Sequence, residues 1–355
     1  MRKIVLNVPS SKQINCSIFV GSGLMGKIST LLDVKKYSKV FIITDQITKK
    51  LFLKKAMKSL PNNTDFITLS SSEKEKNIEN IQRIWTVLAD GQHDRKSLII
   101  NLGGGVIGDM GGFAAATFMR GVHFINVPTT LLSQVDASVG GKTGIGFAGI
   151  KNLIGTFDQP IAVIVDTDAL STLPKQEFLS GFAEIIKHGL VDDKEHFEKV
   201  TSKHPLEFSN NELLDIISRS IQLKVDVVQS DPTESGKRKI LNFGHTIGHA
   251  VEALSLETKN PLLHGEAVSI GMLAESKISH LMKLLSKKDL QRIEQVLVSA
   301  DLPTSMPDVK IEAILKKIKL DKKNEKGKIN FTLLKGIGEA VINQEVPASI
   351  VRQVI

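Results

Sequence analysis

Two histidines four residues apart, His245 and His249, lie in LNFGHTIGHAVEA (241–253), where the apolar spacing predicts a helix over 241–256. Residues at i and i+4 share a helix face, which lets two imidazoles hold one divalent metal ion. The same spacing also suits a plain polar stripe. His264 follows at the start of another predicted helix, and Glu184 lies in a third, GFAEIIKHG (181–189). Three or four such donors describe a catalytic metal site with a coordination position left for substrate or water. The mixed nitrogen and oxygen set suits zinc, with cobalt, manganese or iron as alternatives, and does not suit calcium. Spacing nominates His245 and His249 as a pair but cannot rank them. Glu266 is a competing carboxylate, read as an acid that stabilises the first turn of its helix. His188, beside Lys187, is read as structural and off the face of Glu184.

A second constellation is GGGVIGDMGGF (103–113), where the apolar strand SLIINLG (97–103) runs straight into glycines and a helix. Free backbone N–H groups at such a helix start suit a pyrophosphate. Gly103, Gly105 and Gly108 satisfy G-x-G-x-x-G, but the acid expected about 20 positions on is missing, since Asp136 is the first acid after Asp109. Tight helix–sheet packing is the other reading of these glycines. Asp45 closes the strand KVFIITD (39–45), where it could accept from ribose hydroxyls or cap a helix over 46–59.

The elements that must carry these groups fall into two sets. KIVLNV (3–8), CSIFVG (16–21), KVFIITD, DFITL (65–69), SLIINLG, HFINVP (123–128) and IAVIVD (161–166) read as strands alternating with helices at 46–59, 74–90 and 106–119. That pattern predicts a Rossmann-like α/β domain over 1–170 with a mostly parallel sheet. From 171 to 355 the spacing is helical, in 176–190, 210–230, 241–256, 265–284, 287–300 and 309–319, so the second domain is expected to be mainly α-helical. KINFTLL (328–334) is the strand-like exception. The net charge of +8 is dispersed, and only Trp85 and Tyr37 join the phenylalanines as stacking groups, which argues against nucleic acid and for an anionic small molecule. With one cysteine, no signal-like start and no apolar run of about 18 residues, the expected setting is cytoplasmic, without a membrane partner.

Assembled in order, GGGVIGD (103–109), RG (120–121), PTTLLSQVDASVGGKTG (128–144), KNLIG (151–155), STLP (171–174), GFAEIIKHG (181–189), LNFGHTIGHAVE (241–252) and DKK (321–323) resemble the 3-dehydroquinate synthase family over essentially the whole chain. The resemblance implies metal ligands Glu184, His245 and His264, with His249 beside the substrate. It implies NAD against Asp45, Glu73, Lys76, Gly103, Gly104, Gly105, Asp109, Thr129, Thr130, Thr172 and Glu177. The family usually has Asp-Gly-Glu before its cofactor lysine, where this chain reads Ser71-Ser72-Glu73. The implied substrate, 3-deoxy-D-arabino-heptulosonate 7-phosphate, carries a carboxylate and a phosphate. The positions implied to meet it are Arg120, Asp136, Lys142, Lys151, Asn152, Lys187, Lys224, Arg238 and His249, with Lys323, or equally Lys322, from the late DKK. Glu184, Lys142, Asn152, His249 and Arg238 form the implied catalytic set. The implied reaction removes a hydride to NAD, eliminates phosphate, returns the hydride and closes the ring by an intramolecular aldol step, giving 3-dehydroquinate for the shikimate route to aromatic amino acids. This is a carbon–oxygen lyase, and a homodimer is common in the family. The rivals are another sugar phosphate cyclase, a metal-dependent polyol dehydrogenase and a basic nucleic-acid-binding protein.

Overall fold

The computed structural model describes residues 1–7, 15–148, 150–320 and 329–355, so Lys322 and Lys323 lie outside the described residues. The chain divides into two compact units, Met1–Leu173 with Lys224–Pro232, and Pro174–Leu223 with Thr233–Ile355. The division thus falls at 173/174 rather than at 170/171, and the segment from Lys224 belongs with the first unit.

The first unit holds β1 (Arg2–Asn7), β2 (Asn15–Gly21), β3 (Val40–Asp45), β4 (Asp65–Leu69), β5 (Leu98–Gly103), β6 (His123–Pro128), β7 (Lys142–Phe147), β8 (Ile150–Phe157) and β9 (Ala162–Asp166). Seven of these form one sheet in the order β1-β2-β9-β6-β5-β3-β4. Only the β1–β2 pair is antiparallel. Alternate residues explain the continuous apolar runs: Ile42, Leu98 and Ile100 pack on one face, while Phe41, Ile43 and Ile99 pack on the other. With both faces covered, every position of β3, β5 and β9 is buried. Helices α1 (Ile28–Leu31), α2 (Gln46–Thr48), α3 (Lys54–Met57), α4 (Ile78–Asp90) and α5 (Gly105–Thr117) flank the strands. The helix expected over 46–59 is interrupted by a π-helical turn at Lys49–Leu53, and the one expected from 74 begins at Ile78, capped by Asn77. The β7–β8 hairpin was not foreseen, because β8 is mostly exposed and shows neither a continuous apolar run nor an alternating one.

The second unit is built from α6 (Lys175–Asp192), α7 (Lys194–Val200), the first part of α8 (Asn210–Ser230), α9 (His245–Ser255), α10 (His264–Leu281), α11 (Lys287–Ser299), α12 (Ile311–Leu320) and α13 (Ala348–Val354). The strand-like KINFTLL becomes β10 (Asn330–Gly336), paired antiparallel with an unforeseen β11 (Glu339–Glu345). The helix expected from 241 starts four residues later: Lys237–Asn242 is a 3-10 helix, and Gly244 takes φ +79° before α9 begins. Glycines bring helix backbones together here. A Cβ on Gly271 would run into the Gly244 carbonyl, one on Gly265 into the Ser180 carbonyl of α6, and one on Gly248 would lie 2.9 Å from the Ala267 carbonyl. Helices α6, α9 and α10 are therefore held at backbone contact. Among the described residues no helix is long and apolar enough to cross a membrane.

Candidate functional site

Those three touching helices carry the metal candidates. Glu184 sits in mid-α6 and is fully buried, His245 is the first residue of α9, His249 lies one turn on, and His264 is the first residue of α10. The Glu184 Oε1 atom lies 3.7 Å from His245 Nε2 and 3.6 Å from His264 Nε2. Donors around a four-coordinate ion at about 2.1 Å lie about 3.4 Å apart, so each of the two nitrogens stands near the distance of a neighbouring corner from Oε1. The other oxygen, Oε2, is paired with the buried ammonium of Lys187.

Each imidazole is turned by a partner on its far nitrogen. His245 Nδ1 lies 3.1 Å from the Phe243 carbonyl, and a proton there leaves Nε2 as the free electron pair. His264 Nδ1 lies 3.4 Å from Glu252 Oε2. Burial opposes protonation of His264, but the Glu252 and Glu184 carboxylates overcome it and push its pKa up to about 10. The two carboxylates thus surround this imidazole with negative charge.

The three histidines can also bring one nitrogen each within 4.8 Å of one another, so geometry keeps His249 in the cluster. Glu184 contacts His245 and His264, and this is the grouping that helix spacing alone could not pick out. Glu266 is occupied otherwise: Oε2 accepts from Leu263 N at 2.8 Å and Oε1 from Gln176 Nε2 at 2.8 Å. His188 corrects the sequence reading. It follows Glu184 by four residues, is buried, and offers a nitrogen within 4.8 Å of a Glu184 oxygen, so it shares that face. Arg238 is buried in the 3-10 helix before α9. Glu177 lies in the first turn of α6, where burial and the nearby Glu266 raise its pKa.

Sequence reasoning missed Glu252 and Glu275. Glu252 stands seven residues after His245, on the same helix face, and that spacing was a usable signal. Glu275, in mid-α10, is fully buried and accepts from Gly244 N at 2.7 Å and Ile247 N at 3.0 Å. A glutamate in a helix interior carries no such signal.

In the first unit the cofactor candidates stand at the carboxyl ends of separate strands: Asp45 after β3, Glu73 and Lys76 after β4, Gly103–Gly105 after β5, Thr129 and Thr130 after β6, and Thr172 after β9. The chain steps from β3 out to β4 and returns to β5 on the other side of β3, so Asp45 and the glycine turn flank the point where strand order reverses, the usual ligand crevice of open parallel sheets. A Cβ on Gly103 would lie 2.8 Å from Ile107, and four of the other glycines divide into two groups. A Cβ on Gly108 would meet nothing within 4 Å and one on Gly105 only Ala137 at 3.4 Å, whereas Gly111 and Gly112 are closed off by Asn101 and Thr143. The first group leaves the turn open to a close-approaching ligand, and the second lets α5 seat on the sheet. Asp45 serves as a cap, accepting from Ile47 N and Thr48 N, each at 2.9 Å. Thr130 and Ser133 hydrogen-bond each other at 2.8 Å.

The buried Lys76 ammonium lies 2.5 Å from Asp109 Oδ2, also touches Asn152, and stands 4.0 Å from Glu73. Burial outweighs Lys76 and holds the Asp109 carboxyl above its usual range. Ser72, where the resemblance implies glycine, is extended at φ −69° and ψ 137°, which any residue can adopt, and its hydroxyl accepts from Lys74 N. Asp136 grips Lys224, the second buried ammonium of this unit. Lys142 and Lys151 lie on β7 and β8, and Arg120, at φ +67°, precedes Gly121.

Residues 66–180 match the family described as 3-dehydroquinate synthase N-terminal, and residues 181–324 its C-terminal counterpart. The chain is 42% identical over 333 residues to the 3-dehydroquinate synthase of Nostoc punctiforme, covering 92% of this chain and 91% of that one. It is 40% identical to that of Nitrosospira multiformis, covering 100% and 98%. Among solved structures, 2-epi-5-epi-valiolone synthase from Streptomyces hygroscopicus with NAD+ and Zn2+ bound superposes with a TM-score of 0.87 at 27% identity, covering 98% of this chain and 97% of that one. A 2-deoxy-scyllo-inosose synthase complexed with carbaglucose-6-phosphate, NAD+ and Co2+ reaches 0.89 at 23% identity, with 99% of each chain covered, and shares the fold. With both halves matched in order and two relatives at such identity over more than nine-tenths of each chain, this chain belongs to the 3-dehydroquinate synthase family.

Proposed function

We propose that the chain converts 3-deoxy-D-arabino-heptulosonate 7-phosphate to 3-dehydroquinate and phosphate, with NAD and one divalent ion as cofactors. Breaking the bond between carbon and the phosphate oxygen makes it a carbon–oxygen lyase. The observation that carries the reading is the convergence of Glu184 Oε1 with the Nε2 atoms of His245 and His264 at 3.7 and 3.6 Å. These three would hold the ion, and the donor set suits zinc or cobalt. The glycine turn, with its open Gly105 and Gly108, fits a dinucleotide pyrophosphate, and Asp45, Glu73, Lys76, Asp109, Thr129, Thr130, Thr172 and Glu177 are the groups we assign to the rest of NAD. When bound, NAD supplies a hydride acceptor restored within each cycle, and the ion supplies Lewis acidity at the substrate hydroxyls.

The chain's own residues do the rest by charge and position. Lys187 holds Glu184 Oε2, which keeps Oε1 aimed at the two imidazoles. Asp136 fixes the ammonium of Lys224, and Asn152 and Asp109 fix that of Lys76, so these cations are set before any substrate arrives. Arg120, Lys142, Lys151, Lys187, Lys224 and Arg238 supply the positive charge that a carboxylate and a phosphate require, with Arg238 suited to two-pronged contact. His249 serves the substrate side.

The test is to supply the heptulosonate phosphate with NAD and zinc and to assay phosphate and carbocycle together. Equal release of both is expected, with no net absorbance change at the nicotinamide band. Steady accumulation of NADH with turnover would make the chain a dehydrogenase, and phosphate without carbocycle would refute the cyclisation.

A further inference from the structure

We infer that Glu275 is a positioning residue that clamps the backbone around His245 and thereby sets the affinity of the metal site. The inference rests on the metal-site reading above. It starts from a conflict at the first turn of α9. Gly244 takes φ +79°, and a Cβ there would lie 2.6 Å from Met272 Cγ and 3.0 Å from both Met272 N and the Val268 carbonyl. Only glycine fits. A helix start, however, needs an acceptor for its orphan N–H groups, normally a serine, threonine, aspartate or asparagine at that same cap position. Glycine has no side chain to offer.

Glu275 resolves the conflict from the neighbouring helix. Its Oε2 accepts from Gly244 N at 2.7 Å and its Oε1 from Ile247 N at 3.0 Å. The two bonds grip the residue before His245 and the residue two after it. The carboxylate is fully buried, so water does not compete for it, and it lies at the positive end of the α9 dipole. His245 is then fixed at both levels, its backbone by Glu275 and its ring by the Phe243 carbonyl. The same helix, α10, begins with His264 and carries Glu275 three turns later, so one rigid rod presents one ligand and holds the backbone of another.

A purely structural role would also make Glu275 matter for stability, so the test must read the metal. In Glu275→Gln the amide can accept one of the two N–H groups but turns its own N–H toward the other. Zinc affinity, measured by competition with a chromogenic chelator, is expected to fall about 10- to 100-fold, as for other residues that orient metal ligands. Glu275→Asp, one methylene shorter, should fall between the two. Ile278→Val, in the same buried core, should lower the melting temperature while leaving zinc affinity unchanged. Wild-type affinity in Glu275→Gln, or an equal loss in Ile278→Val, overturns the inference. If neither Glu275 variant folds, amide hydrogen exchange in the wild type decides: zinc should slow exchange at Gly244 and Ile247, and an unchanged rate there overturns the clamp. A wild-type chain that takes up no zinc would instead sink the metal-site reading itself.

Discussion

Replacing Gly244 with alanine asks how much of the metal geometry is set by main chain. An L-residue held at φ +79° costs about 1–2 kcal/mol relative to glycine. The added methyl would lie 3.0 Å from two backbone atoms of α10 and 2.6 Å from Met272 Cγ, so the backbones must part by a few tenths of an ångström, at about 1–3 kcal/mol for overpacking. The sum, about 2–5 kcal/mol, is within what a folded domain can lose, and a drop of about 5–15 °C in melting temperature should follow. His245 is the next residue, and its Nε2 already stands 3.7 Å from Glu184 Oε1, slightly beyond a coordination edge. Moving it further should weaken zinc binding about 10- to 100-fold. Calorimetry on the metal-free variant and chelator competition would measure the two effects separately. An unchanged melting temperature would refute the steric reasoning, and a large thermal loss with wild-type zinc affinity would refute the link from backbone to ligand.

Glu184→Ala and His245→Ala should each abolish tight metal uptake, while His249→Ala keeps the metal and turns over slowly; equal metal loss in all three, read by elemental analysis, would return His249 to the ligand set. His196 is buried beside His188, and burial first, then that neighbour, lower its pKa to about 3, so the unfolded chain binds the extra proton between about pH 6.5 and 3. Its neutral form therefore contributes fully above pH 6.5, and stability should fall as pH drops through that window, by up to about 5 kcal/mol. Denaturant titrations of His196→Asn should show a shallower acid dependence, and an unchanged slope would assign the effect elsewhere. Ser72→Gly should change NAD affinity less than about twofold, because Ser72 already has an ordinary extended backbone and loses only a weak cap; a tenfold gain on calorimetric titration would show that the family's glycine matters there.

The inner strands of the sheet were legible because burial on both faces leaves a largely apolar run, as in VFIITD and LIINLG. The exposed β8 carries no such mark, and the start of α9 was misplaced because Gly244 reads as an ordinary helix glycine until its φ is known. At the candidate site, the residue types and the i, i+4 histidine pair were readable. The choice among histidines was not, since it depends on where α6 and α10 place Glu184 and His264, and only the resemblance pointed to that set. The face of His188 was misjudged although its spacing from Glu184 stated it. Glu275 could not be found at all, because its partners are main-chain atoms, which leave no trace in side-chain pattern.

The meeting of α6, α9 and α10 at Gly244, Gly248, Gly265 and Gly271 has a consequence for how this protein can vary. Where helices are spaced by side chains, each core substitution resets the gap. Here the spacers are peptide groups, whose dimensions are the same in every sequence. The surrounding apolar residues can thus change in size, at a cost in stability, while the donor atoms keep their separations, and the spacing itself is most sensitive at four positions that carry no functional group of their own.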